Sequence, residues 1–242
     1  MSNSADLSRS PDRISAMFDA IAPRYDFLNH LLSAGIDRRW RKRAIRVLGL
    51  TGREVVLDLC TGTGDVAIEA RLARPGAARV VGLDFSHAML THGLAKLRRR
   101  GLDRDIALVG ADASTLPLRP SSVDAVTIAF GIRNVDDRAA ACREILRVLK
   151  PGGRLAVLEF AMPSSPFFRR IYLSYFRHIL PRIGAWISGH ESAYAYLPAS
   201  VDAFEPRVFM DLLRQSGFAD VGADPMTFGS VFLYTARRRS SL

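Results

Sequence analysis

The chain has 242 residues, 48% of them hydrophobic and 24% charged, a globular balance that excludes a disordered polymer. Its net charge of +10 points to nucleic acid, an anionic membrane surface or simply an Arg-rich composition. Two cysteines, Cys60 and Cys142, exclude a disulfide framework and a Cys-rich metal site, and no apolar run nears the ~20 residues of a membrane span.

Residues 1–13 are polar and lack the apolar core of a secretory signal, so they are expected to be disordered and the protein cytoplasmic. Residues 14–50 read as a helical cover. Met17, Ile21, Tyr25 and Leu28 recur at helical spacing, interrupted at Pro23. Arg38 to Arg46 form a basic helix face, with Trp40, Ala44, Val47 and Leu48 opposite. The period then changes. Val55 to Leu59 is an apolar run without polar alternation, as in a buried parallel strand. A glycine turn and a helix to about Arg71 follow. Further strands are predicted over Arg79 to Leu83, Ile106 to Val109, Val123 to Phe130 and Arg154 to Glu159. Helices are predicted over Ser86 to Arg100, with Ser86 as N-cap, and over Arg138 to Leu149. A helix from Val208 to Ser216, ended by Gly217, precedes two strands near Asp220 to Ala223 and Ser230 to Thr235.

Strands and helices alternating at this spacing predict one α/β domain over 14–242, with a doubly wound, mostly parallel sheet of Rossmann-like type. Residues 164–203 break the rhythm and read as an inserted helical lid. Phe168, Ile171, Tyr172, Tyr175, Phe176, Ile179 and Ile183 share one helical face, and Arg169, Arg170, Arg177 and His178 lie elsewhere around it. Packing on the domain is the favoured reading of that face, and contact with a membrane surface is the other.

Ligands of such sheets bind beyond the C-terminal strand ends. Gly62, Thr63 and Gly64, followed by Ala67, fit a loose dinucleotide-type glycine pattern. Asp84 follows the second strand, where an acid pairs with ribose hydroxyls, so NAD and S-adenosylmethionine both fit so far. Asp58 separates them. A carboxylate beside the glycine turn repels a pyrophosphate, whereas S-adenosylmethionine carries an amino cation and a sulfonium. Asp112 and the Ala113 N–H, after the third strand, suit the adenine edge.

The sequence resembles the S-adenosylmethionine-dependent C-methyltransferases of menaquinone and ubiquinone biosynthesis, from about Met17 to Arg237. The similarity is carried by Phe18 to Asn29, with Leu31 to Ser33 and Arg39-Trp40, by Asp58 to Asp65, by Thr127 to Val135, by Arg147 to Phe160 and by Tyr194 to Val201. Small departures stand at Leu28, Asp37, Cys60, Thr61 and Ala161. The resemblance implies methylation of a ring carbon of a polyprenyl quinol, demethylmenaquinol first and a methoxy-polyprenyl-benzoquinol as the alternative, with no metal. Arg133 and Asn134 then become candidates to stabilise the phenolate and orient the quinol oxygen, with Tyr25 beside them. Asp26, Asn29, Phe130 and Tyr194 become candidates for substrate contact. His30 and His190 are lesser candidates as bases. An anionic membrane is the expected peripheral partner, and a homo-oligomer stays open. A nucleic-acid methyltransferase, prompted by the +10, is the reading from another class. It is disfavoured because no Asn/Asp-Pro-Pro-Tyr or Pro-Cys arrangement follows the fourth strand.

Overall fold

The computed structural model describes residues 19, 22, 26, 30, 33, 35–73, 79–175, 200, 201 and 203–240. Seven strands form one sheet: β1 (Val55–Leu59), β2 (Arg79–Asp84), β3 (Ile106–Gly110), β4 (Val123–Ala129), β5 (Leu149–Phe160), β6 (Ala219–Met226) and β7 (Val231–Arg237). Their order is β3-β2-β1-β4-β5-β7-β6. Strands β1 to β5 are parallel, and β7 enters antiparallel between β5 and β6. The predicted doubly wound, mostly parallel sheet is therefore present. Its order reverses between β1 and β4, which opens a crevice at their C-terminal ends.

The helices are α1 (Asp37–Val47), α2 (Asp65–Ala73), α3 (His87–Arg99), α4 (Arg138–Val148), α5 (Pro166–Ser174) and α6 (Pro206–Gln215). Helix α1 buries Trp40, Ala44 and Ile45 and exposes Arg38, Arg39, Lys42, Arg43 and Arg46, as its amphipathic pattern requires. Ser86 caps α3 by accepting from the Met89 N–H at 3.1 Å. Helix α6 starts two residues earlier than the apolar pattern implied, because Pro206 presets a helical φ at the first turn.

Two apolar layers cover the two sheet faces, and the strands alternate between them. Leu57 and Leu59 pack with Ile145, Val148, Phe209 and Leu213 of α4 and α6. Val56 packs with Ile45 and Leu48 near α1 and with Val66 and Ile68 of α2. Burial on both faces is why β1 showed no polar alternation. Strand β5 begins at Leu149 rather than Arg154. Leu149 pairs with Val123, the register shifts, and pairing resumes at Arg154 with Ala125. The Lys150–Gly153 stretch is thus an irregularity within the strand, where the sequence suggested a plain turn. Of the expected lid, α5 buries none of its side chains, while Ser200 and Val201 are buried. Residues 176–199 lie outside the described residues, as does the stretch 1–13.

Candidate active site

A cavity opens where β1, β2, β3 and β4 end. Its walls include Gly62, Asp84, Asp112, Ala113, Phe130 and Asn134, so six of the residues singled out from sequence converge on one space. Asp84 closes the end of β2 and is buried. Its Oδ2 accepts from the Gly62 N–H at 2.8 Å and its Oδ1 from the Ser86 N–H at 2.9 Å. Burial pushes its carboxyl above the ordinary value, and those two N–H groups pull part of the way back. Asp112 Oδ1 accepts from both the N–H and the hydroxyl of Ser114 at 2.7 Å, which sets the turn after β3.

The floor joins β1 to β4. Cys60 and Phe130, the residues that follow these strands, both have left-handed backbones, at φ 55° and 59°. A Cβ on Gly131 would stand 2.3 Å from Cys60 Cβ, so only glycine permits this approach. The Cys60 thiol is held neutral: burial, then the carboxylates of Asp84 and Asp58, push it well above the usual thiol range. The Phe130 ring stacks on Phe160 at 4.3 Å between centroids, with Trp40 tilted against it at 5.9 Å.

Five described residues of the predicted site, Asp58, Thr63, Gly64, Asp26 and Arg133, are not among the cavity walls. Asp58 is 1% exposed and is not among the cavity walls. Its Oδ2 accepts from Thr61 Oγ1 (2.6 Å) and the Ala67 N–H (3.1 Å), and its Oδ1 from Thr127 Oγ1 (2.8 Å). It therefore braces the glycine loop through Thr61 and Ala67 and ties it to β4 through Thr127. Burial raises its pKa to about 6 against hydrogen bonds that lower it. Thr63 is also buried behind the wall, with its hydroxyl between Lys96 and Asp26. Asp26, a candidate for substrate contact from the resemblance, is held here by Thr63 and Lys96 and is not among the cavity walls. Gly64 supplies a left-handed turn at φ 83° and its N–H closes onto the Thr61 carbonyl at 2.9 Å.

Arg133, expected to stabilise a developing phenolate, is 6% exposed and is not among the cavity walls. Its Nη1 donates to Glu159 Oε1 (2.6 Å) and to the Phe130 carbonyl (2.6 Å), and its Nε to Ser200 Oγ (3.3 Å). Glu159 Oε2 also accepts from the Arg133 N–H at 3.1 Å. The guanidinium lies over the Phe160 ring at 5.5 Å. Arg133 and the fully buried Glu159 thus clamp the stretch 130–134 that carries Phe130 and Asn134 into the cavity. Its partner is Glu159 rather than the adjacent Asp136 or Asp137.

Tyr25, Asn29, Tyr194 and His190 lie outside the described residues. His30 is paired with Asp37 at 3.2 Å and is not a wall residue. Sequence reasoning missed Phe85, Met89, Asp136 and Asp137 as wall residues. Phe85 had a signal, since it directly follows the acid of β2. Asp137 caps α4 through the Ala140 N–H at 2.8 Å, and an acid before a helical run is an N-cap signature.

Comparison with known proteins bears on this geometry. The sequence model of the ubiE/COQ5 methyltransferase family matches residues 7–238. The chain is 51% identical to the ubiquinone/menaquinone biosynthesis C-methyltransferase UbiE of Syntrophotalea carbinolica, over 92% of each chain. It is 45% identical to the demethylmenaquinone methyltransferase of Thermus thermophilus, over 92% of this chain and all of the relative. Among solved structures, a SAM-dependent methyltransferase from Aquifex aeolicus shares the fold at a TM-score of 0.62 and 18% identity, covering 82% of this chain and 89% of the other.

Proposed function

Because the chain belongs to the ubiE/COQ5 methyltransferase family, we propose that it transfers a methyl group from S-adenosylmethionine to a ring carbon of a polyprenyl quinol, with demethylmenaquinol as the substrate. The observation that carries this is the family match over nearly the whole chain. The donor-site acids in the cavity walls support it, with Asp84 after β2 and Asp112 after β3. The relative from Thermus, named a demethylmenaquinone methyltransferase, favours the naphthoquinol over the methoxy-benzoquinol.

The cavity residues divide into two groups. Asp84 keeps lone pairs beyond those given to Gly62 and Ser86, and these suit a ribose diol. Asp112 and the Ala113 N–H suit the adenine edge, with Phe85 and Met89 as apolar flanks. When bound, the donor supplies an electrophilic methyl on a sulfonium. On the β4 side, Phe130 offers a ring face and Asn134 an amide to orient a quinol oxygen. The phenol gives its proton to water, the charge spreads to the adjacent ring carbon, and that carbon takes the methyl as the S–CH3 bond breaks and S-adenosylhomocysteine leaves as a neutral thioether. The ring hydrogen then departs to water as a proton, which restores the aromatic ring, and the phenolate oxygen takes a proton back, so one proton is released overall. Alignment within this cavity is the main catalytic contribution. Tyr25 is the further candidate for hydrogen bonding to the ring oxygen. Arg133 acts by positioning, holding the Phe130 carbonyl and the 130–134 backbone.

Membrane contact is the finer part of the proposal. Among the described residues no helix is long and apolar enough to cross a membrane. Phe167, Ile171 and Phe228 are 68%, 53% and 70% exposed, and Phe168 stacks on Phe228 at 4.2 Å. Arg169 and Arg170 are exposed on the same helix. Exposed aromatics beside cations suit the surface of an anionic bilayer, where a lipid quinol resides. Flotation with anionic liposomes at low salt tests it, and absence of binding refutes it.

The assay for the activity uses S-adenosylmethionine labelled in the methyl group with short-tailed demethylmenaquinol or methoxy-polyprenyl-benzoquinol, kept reduced. Mass spectrometry should find the label on the ring carbon of the naphthoquinol. Label on neither quinol refutes the proposal, and label on the benzoquinol alone refutes the choice of substrate.

A further inference from the structure

Lys96, in the last turn of α3, is buried, which is uncommon for a lysine unless its charge is met. Its ammonium donates to Thr63 Oγ1 (2.8 Å), pairs with Asp65 Oδ1 (2.8 Å) and meets Asp26 Oδ2. The Thr63 hydroxyl accepts from Lys96 and donates to Asp26 Oδ1. One cation therefore joins the glycine loop, the start of α2 and the chain ahead of α1. Burial pushes the Asp65 carboxyl up, but Arg41 and Lys96 outweigh it and hold it below its ordinary value. Arg41 of α1 pairs with Asp65 at 2.8 Å and with Asp37, which accepts from Ser33 Oγ at 2.8 Å. A second tether runs in parallel. Asp19 Oδ1 accepts from Ser86 Oγ at 2.6 Å, on the residue whose N–H is held by Asp84.

None of Lys96, Thr63, Asp65 or Asp26 lines the cavity, but Gly62, the neighbour of Thr63, does. We propose that Lys96 is a positioning residue for the methyl donor: it locks Asp26 against the back of the glycine loop and so holds Gly62 at the cavity wall. This inference rests on the donor reading of the cavity given above. It has a distinctive electrostatic consequence. With Lys96 present, Asp26 and Asp65 are both attracted to one cation. Without it, Asp26 keeps only the Thr63 hydroxyl among the described residues and stands near Asp65, whose charge Arg41 still offsets in part, so the repulsion between the two carboxylates works against the tether.

The test measures S-adenosylmethionine affinity by isothermal titration for the full chain and for Lys96→Met, Lys96→Arg, Asp26→Asn and the Lys96→Met/Asp26→Asn pair. Lys96→Met should weaken donor binding by about tenfold and raise the donor KM, with turnover at saturating donor changed by less than about threefold. Lys96→Arg should restore most of the affinity. Asp26→Asn should weaken binding in the wild-type background and improve it in the Lys96→Met background, a reversal of sign that a plain stability defect does not produce. Wild-type affinity in Lys96→Met, or the same effect of Asp26→Asn in both backgrounds, overturns the proposal. If Lys96→Met does not fold, Asp26→Asn decides alone, and wild-type affinity there overturns it. A wild-type protein that fails to bind the donor overturns the donor reading as well.

Discussion

Replacing Asp58 by Asn isolates the cost of a buried charge at the base of the glycine loop. The carboxyl sits near a pKa of about 6 in the native state against 3.8 when unperturbed, because burial outweighs its hydrogen bonds. Between those values the native state binds more proton than the unfolded chain, so stability falls as pH rises through the window. The full difference corresponds to roughly 3 kcal/mol, and about 1 kcal/mol of it falls between pH 5 and pH 7. Asparagine fits the same partners. Its carbonyl replaces Oδ2 opposite Thr61 and Ala67, and its amide replaces Oδ1 opposite Thr127. The Thr127 hydroxyl accepts from that amide and turns its proton to the Leu57 carbonyl, 3.5 Å away. The assay is urea unfolding of both proteins at pH 5, 6, 7 and 8. All other titrating groups are shared, so they cancel in the difference. Asp58→Asn should gain about 1 kcal/mol on wild type between pH 5 and pH 7 and no more above. A difference that stays constant across this range would refute the buried-charge argument.

Asp84→Ala removes the acceptor of the Gly62 and Ser86 N–H groups and the acid expected at the ribose. Donor affinity measured by titration calorimetry should fall at least about tenfold, and a value within twofold of wild type would exclude Asp84 from the donor site. Arg133→Met strands the fully buried Glu159 charge and should cost about 3–5 kcal/mol in chemical denaturation. Adding Glu159→Gln should recover a large part of that, and additive losses would show that the pair is not coupled. Gly131→Ala drives a Cβ into Cys60 and should destabilise by about 1–3 kcal/mol, read as a lower melting temperature. Cys60→Gly in the same chain should restore the loss by removing the opposing Cβ, and no restoration would place the strain elsewhere.

Much of the architecture was legible in the amino-acid order. The apolar run without alternation at Val55 to Leu59 required a strand buried on both faces, Val123 to Phe130 read as the fourth strand, and the capping Ser86 marked the start of α3. The placement of Gly62, Asp84, Asp112, Ala113, Phe130 and Asn134 around one cavity followed, because ligands collect at the C-terminal ends of parallel strands. These features depend on local periodicity and on the short connections of an α/β sheet.

What local pattern does not encode is where a long polar side chain finds its partner. Arg133 sits at a strand end among residues that do line the cavity, yet its guanidinium turns inward to Glu159, 26 positions later. Lys96 looks like one more cation on a basic helix end, yet it is buried against Thr63, 33 positions earlier. Asp58 and Asp26 are each held by a hydroxyl of the glycine loop, Thr61 and Thr63, at separations of 3 and 37 positions. Sequence alone determined which elements form and which strand ends carry acids. The tertiary structure decided which charged groups meet the cavity and which brace its walls, because that choice depends on sheet register, helix packing and the need to neutralise each buried charge.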